Sequence, residues 1–261
     1  MIYKKQTLTQ KIPAMALVLF AGMVLGSCSI SKTEDPLVAG NVTFEDPFED
    51  TNRVIFAFNE VVDDVVIHPV IEGYRAVVPG PARQGVRNFL RNLKTPVRFA
   101  NQLLQGDTDG AGNEIFRGVV NTLVGLGGLF DVAGKEGFEY EPEDFGQTLA
   151  VWGVDHGPYI VLPVLGPSSL RDYAGYTVDA LADPLRWYLY NVDKEDVYYV
   201  KIGADYLDLR DSLMDVLKDL EKSSIDYYAA VRSTYFQNRD AMVKDHDPEA
   251  LATPDIPDYD D

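Results

Sequence analysis

The stretch from Arg117 to Gly134 constrains this chain most, because an apolar helical face there runs into a cluster of glycines. Ile115, Phe116, Val119, Val120, Leu123 and Val124 recur in pairs every four residues, as one face of a helix does. Gly125, Gly127 and Gly128 then fall within four positions, among Leu126, Leu129 and Phe130. Each helical glycine costs about 1 kcal/mol relative to alanine, so the helix should break or soften. Such breaks are ordinarily polar, since their backbone groups need water. This one is apolar. Either the glycines let two packed helices turn tightly and approach closely, or they form an elbow beside an apolar conduit or a membrane.

The first segment is read as a targeting signal. Lys4, Lys5 and Lys11 flank an apolar run from Ile12 to Leu25 that is short for a membrane span. Leu25-Gly26-Ser27-Cys28 contains the single cysteine and resembles a bacterial lipobox. By that resemblance residues 1–27 are cleaved as a signal peptide, and Cys28 carries a thioether-linked diacylglycerol and an amide-linked acyl chain such as palmitate. Several chains at about 0.8 kcal/mol per buried methylene anchor a protein durably. Ser29 after the cysteine favours the outer membrane by the same resemblance. The chain has 23 basic and 41 acidic residues, a net charge of −18. Loss of three signal lysines would bring it to −21 (20 − 41). So acidic a body does not bind nucleic acid by neutralising phosphates, nor gain from anionic head groups.

Residues 28–45 read as a flexible tether. Asp46, Pro47 and Glu49 look like a helix start with a capping box. Val54, Ile55, Phe58, Val61, Val62, Val65 and Val66 continue it as a wide apolar face until His68-Pro69. A second helix starts near Pro81, with Arg83, Arg87 and Arg91 forming what reads as a solvated stripe. A short helix after Thr95-Pro96 closes at Gln105-Gly106-Asp107. Residues 135–166 are irregular; Tyr159 to Leu162 could be a buried extended segment or a membrane-dipping loop. A helix opens at Ser168 or Ser169. From Glu195, Tyr199, Ile202, Tyr206, Leu209, Leu213, Val216 and Leu220 repeat with a seven-residue rhythm, predicting a long helix packed along that seam with acids outside. The helical body spans 46–240, and 241–261 is an acidic, proline-rich tail expected to be disordered.

Little in the chain suggests covalent chemistry. His68, His156 and His246 have no metal-ligand spacing, and no Gly-x-Ser-x-Gly elbow exists. The glycine cluster follows a helix, not a strand, and lacks the third glycine of a dinucleotide loop. The expectation is therefore no enzyme, no metal and no cofactor.

Several stretches in order resemble the MlaA/VacJ family of outer-membrane phospholipid-handling lipoproteins. They include Asp46-Pro-Phe-Glu-Asp-Thr-Asn-Arg53, Leu104-Gln-Gly-Asp107, Asn121-Thr with Gly125-x-Gly127-Gly128-Leu-Phe-Asp-Val-Ala133, Asp144-Phe-Gly-Gln-Thr-Leu149 and Tyr235-Phe-Gln237. The resemblance implies an all-α fold, a ring-like bundle of amphipathic helices around a central polar channel, seated in the inner leaflet of the outer membrane. It implies that phospholipids misplaced in the outer leaflet pass through to a soluble periplasmic carrier, MlaC, beside a trimeric porin, so maintaining lipid asymmetry. In that frame Gly125, Gly127 and Gly128 are the hinge of the channel, and Asn59, Arg117 and Asn121 are candidates for its lipid path. The alternative reading is a tethered periplasmic scaffold that only binds proteins.

Overall fold

The computed structural model describes residues 46–244. The expected signal peptide, acylated Cys28, most of the tether and the tail from residue 245 lie outside the described residues. The body is predominantly helical, as expected. The helices are α1 (Glu49–Val62), α2 (His68–Val77), α3 (Gly80–Leu93), α4 (Thr95–Gln105), α5 (Thr108–Leu123), α6 (Val132–Lys135), α7 (Phe145–Val151), α8 (Leu170–Ala182), α9 (Pro184–Asn191), α10 (Glu195–Ser223) and α11 (Tyr227–Lys244). Strands β1 (Tyr159–Leu162) and β2 (Gly166–Ser169) form an antiparallel hairpin. Packing runs in a circuit: α3 touches α5, α5 touches α4, α4 touches α7, α7 touches α11, α11 touches α10, and α10 returns to α3.

The helix starting at Glu49 does not end at Pro69. Asp63–Ile67 form a π turn in which the His68 N–H bonds to Asp63 O, and α2 continues from it. The wider turn accommodates a residue that lacks an N–H and crowds the preceding turn. Nor does Asp46 cap α1 with its side chain. It instead receives Asn52 Nδ2 at 2.8 Å, Arg232 Nη1 at 3.0 Å and the Tyr228 hydroxyl, fastening the start of α1 to α11.

The hairpin is the buried extended segment. Asn52 donates to Tyr159 O (3.0 Å) and accepts from Val161 N (2.9 Å); Asn59, seven residues on, donates to Leu162 O (2.9 Å) and accepts from Val164 N (2.7 Å). The polar face of α1 thus satisfies β1 where a third strand would otherwise be needed. Tyr159 and Val161 pack with Tyr228 and Phe236 of α11 in a small apolar core, flanked by Ile55 and Phe56. Ser169 caps α8, accepting from Asp172 N at 3.1 Å.

Elsewhere the usual arrangement is reversed. Among the described residues, buried polar and charged side chains outnumber buried apolar ones. On α5 it is Glu114, Arg117 and Asn121 that are buried, while Ile115, Phe116, Val119 and Leu123 are exposed, Leu123 by 77%. The long helix α10 does the same. Its expected apolar seam is largely outside (Tyr199, Leu209, Leu213 and Val216 are exposed), and Asp211 is 4% exposed. The supposed solvated stripe on α3 explains this: Arg83 and Arg87 meet Asp211 at 2.9 and 3.4 Å, Arg87 meets Asp208 at 3.1 Å, and Arg75 of α2 meets Asp211 at 2.5 Å. Arg83 and Arg87 are thus paired and only partly exposed, and the seam residues Tyr199, Leu209, Leu213 and Val216 stay uncovered.

The glycine cluster is a tight turn. Leu126, Gly127 and Gly128 take left-handed φ of 53°, 72° and 95° in succession. Gly127 N donates to Thr122 O (3.0 Å) and Gly128 N to Asn121 O (2.8 Å). A β carbon on Gly125 would lie 2.2 Å from Phe130 O, and one on Gly128 would lie 2.5 Å from Asn92 Cβ. The expected tail boundary also shifts, since α11 runs to Lys244.

Removing one partner of a buried ion pair strands the other, at a cost of about 3–5 kcal/mol. Asp211→Ala should lower unfolding stability in detergent by that order. Asp215→Ala, whose side chain is 79% exposed beside Arg75, should change it by less than about 1 kcal/mol.

Candidate functional site

Two helix-to-helix reversals gather one polar cleft. Helix α3 ends at Leu93 and α4 starts at Thr95, so Asn88, Arg91 and Asn92 come beside Thr95 and Arg98. Helix α5 lies against α4 and adds Arg117 and Asn121; Asp131 and Tyr140 come from the chain beyond it. Between and above these side chains lies about 250 Å³ of space, of which about 10 Å³ is wide enough for the centre of a water molecule. The guanidinium carbons of Arg91, Arg98 and Arg117 lie 4.1, 4.9 and 5.8 Å from the centre of the Tyr140 ring. Aromatic faces attract such cations.

Two of the three arginines are paired. Arg98 Nη2 donates to Glu114 (2.5 Å) and to Arg91 O (2.7 Å), and Arg117 Nη2 donates to Asp131 (3.0 Å), with Nη1 on Phe138 O. Asn121 donates to Asp131 Oδ1 (2.9 Å) and accepts from the N–H groups of Val132 and Ala133 (2.8 and 3.0 Å), fixing α6. Burial pushes the Asp131 carboxyl up, but the Gly134 N–H, Arg117 and Asn121 outweigh it and hold it below the usual range. The cleft also reaches the glycine turn: Asn92 donates to Gly127 O (3.5 Å) and, at the end of α5, to Thr122 Oγ1 (2.9 Å), and Asn88 donates to Leu129 O (3.3 Å).

A second buried polar group joins α4, α7, α8 and α11. Arg239 bridges Asp144 (2.6 Å) and Asp172 (3.1 Å). Burial opposes ionisation of both carboxyls, yet Arg239 keeps them below their ordinary range, with the Tyr235 hydroxyl also donating to Asp172. Among the described residues Asp179 forms no ion pair. It accepts from Phe145 N and Asn101 Nδ2, each at 2.9 Å, and burial pushes it up to about 6.

Of the residues expected on a lipid path, Arg117 and Asn121 converge in the first cleft, beside the turn built by Gly125, Gly127 and Gly128. Asn59 does not join them and is occupied at the hairpin. Sequence reasoning missed Arg91, Arg98, Asp131 and Tyr140 as members of this cleft. Arg91 and Arg98 lie on either side of the break at Thr95-Pro96, so their spacing carried no facing signal, and nothing marked Tyr140. Among the described residues no His, Cys, Asp and Glu group could hold a metal ion.

The family model for the MlaA lipoprotein matches residues 44–242. The chain belongs to the MlaA lipoprotein family. The intermembrane phospholipid transport system lipoprotein MlaA of Escherichia coli K12 is 36% identical over 236 residues, covering 88% of each chain. The protein of the same name from Haemophilus influenzae is 34% identical over 203 residues, covering 77% of this chain and 80% of that one. An uncharacterised protein of Rickettsia felis is 38% identical over 203 residues, covering 76% and 78%. A solved structure described as the structural basis for maintenance of bacterial outer membrane lipid asymmetry superposes with a TM-score of 0.68 at 37% identity, covering 76% of this chain and 99% of that one. The all-α reading from sequence agrees with this MlaA-family likeness, and the hairpin is an addition to it.

Because the folded pKa of Asp179 is raised, its contribution to stability is fully present below about 3.8 and is lost as pH rises through about 6. Comparing denaturant unfolding of wild type with Asp179→Asn, the wild type should gain about 2–3 kcal/mol on the variant as pH falls from 8 to 4. A constant difference across that range would show that Asp179 stays charged.

Proposed function

We propose that this protein is an outer-membrane lipoprotein that takes phospholipids misplaced in the outer leaflet and moves them inward through a polar channel, maintaining lipid asymmetry. The carrying observation is the reversal of polarity, with apolar faces of α1, α5 and α10 outward and arginines, asparagines and carboxylates inward. In water so much exposed apolar surface marks a partner; a bilayer supplies one. No helix among the described residues is long and apolar enough to cross a membrane. This fits a body lying in one leaflet, anchored through acylated Cys28, rather than a set of spanning helices. The circuit of helix contacts supports a ring, whose inner polar groups would receive a head group while acyl tails follow apolar surface. The relatives named for intermembrane phospholipid transport point the same way. Family resemblance extends the reading to the carrier MlaC as receiver and a trimeric porin as neighbour.

The turn at Gly125, Gly127 and Gly128 serves as the hinge. Gly127 is the position to test, because a β carbon there meets nothing within 4 Å while its φ of +72° disfavours any other residue. Gly127→Ala should stiffen the turn and slow lipid movement without a packing clash; unchanged surface phospholipid in that variant would discard the hinge. For the function itself, cells lacking the gene should accumulate phospholipid in the outer leaflet, as read by an outer-leaflet-specific acyltransferase or phospholipase. Wild type should correct this and Cys28→Ala should not. A scaffold that only binds proteins would leave purified protein soluble without detergent once Cys28 is replaced.

A further inference from the structure

The chain carries 41 acidic residues against 23 basic ones, so a cationic group inside it has counter-charges in ample supply. In the cleft beside the glycine turn that supply is withheld. Three arginines, Arg91, Arg98 and Arg117, gather around the Tyr140 ring, and among the described residues only Glu114 and Asp131 form ion pairs with them. Among the described residues Arg91 takes part in no ion pair; its guanidinium is half-buried over the ring. Arg98 is 4% exposed, and among the described residues its Nε and Nη1 have no hydrogen-bond partner. Buried guanidinium donors are ordinarily satisfied, and each one left open has a cost. The remaining lining, Asn88, Asn92 and Thr95, offers small polar side chains rather than acids.

We infer that the Arg91–Arg98–Tyr140 cleft is a binding site for a phosphate oxyanion, which adds the missing negative charge and takes up guanidinium donors. This rests on the lipid-transport reading and specifies what the polar path recognises. Guanidinium forks match a phosphate's several oxygens, and they bind it in two-point fashion that a lysine cannot reproduce. The ring of Tyr140 holds the planes in place before the anion arrives, so less ordering remains to be done on binding. The free space wide enough for water is small, so the anion enters from the open side against Arg91 and widens the cleft. Asn88 and Asn92 line that cleft and also reach the glycine turn through Leu129 O and Gly127 O. Occupancy and turn geometry are therefore mechanically joined. The same chemistry would serve a lipid head group or free inorganic phosphate.

The test uses full-length protein in detergent, with wild type, Arg91→Gln, Arg91→Lys and Tyr140→Leu. Binding is measured for short-chain phosphatidylglycerol, for diacylglycerol with the same acyl chains, and for inorganic phosphate. Arg91→Gln should weaken phosphatidylglycerol about tenfold, as loss of one charge-assisted contact would, and leave diacylglycerol unchanged. Arg91→Lys should fall between, and Tyr140→Leu should weaken phosphatidylglycerol in the same direction. Inorganic phosphate that binds wild type but not Arg91→Gln identifies a free-phosphate site; phosphatidylglycerol alone doing so identifies a head-group site, and either result supports the inference. If Arg91→Gln lowers the unfolding temperature, Arg91→Lys, which keeps the charge, decides instead. Phosphatidylglycerol bound equally by wild type, Arg91→Lys and Tyr140→Leu overturns the inference. Wild type that shows this phosphate dependence yet fails to restore lipid asymmetry in cells would sink the transport reading and leave the site standing.

Discussion

Charge buried inside a protein has to find opposite charge or hydrogen-bond partners, because leaving water without them costs several kcal/mol per ion. In this chain that requirement organises the interior. Asp211 of α10 gathers Arg75, Arg83 and Arg87 from two other helices; Arg239 gathers Asp144 and Asp172; Glu114 meets Arg98, and Asp131 meets Arg117. The Asp211 and Arg239 groups tie elements distant in sequence, and the other two pairs join consecutive elements, so electrostatics does here much of what apolar packing does in a water-soluble bundle. Among the described residues the one conventional core, around Tyr159 and Phe236, is small and sits under the hairpin.

Pairing inside allows apolar surface outside. The amphipathic faces of α1, α5 and α10 would be core faces in a soluble protein; here Val54, Val65, Leu123 and Val216 are among the most exposed residues. Burying such side chains in hydrocarbon is favourable by about 25 cal/mol per Å². The environment that completes the fold is thus read from which faces are left uncovered, and the cleft of three arginines lies on the opposite, polar side of the same α5.

Helix positions were legible in the sequence because periodicity, proline and glycine punctuation and capping residues are local signals. Thr95-Pro96, Gly106 with Asp107, and Ser169 all mark boundaries that the structure respects. Which face turns inward was not legible. The seven-residue rhythm of Tyr199 to Leu220 reports a stripe, and the stripe is the same whether lipid or protein covers it. Arg83 and Arg87 likewise look solvated until Asp208 and Asp211, more than a hundred residues on, are folded against them. Pro69 misled because the π turn that absorbs it has no simple sequence mark. Arg117 and Asn121 were named as candidates in the frame of the family resemblance and come together in one cleft, whereas Arg91 and Tyr140 meet only through tertiary folding.

The account depends on apolar faces meeting lipid and polar groups meeting an aqueous interior. Spin labels at Val65→Cys, Val119→Cys and Leu123→Cys in bilayer-reconstituted protein test it directly, by comparing relaxation by oxygen, which concentrates in lipid, with relaxation by a water-soluble nickel chelate. Oxygen should dominate at all three sites. Dominance of the nickel chelate there would place these faces in water and contradict the account.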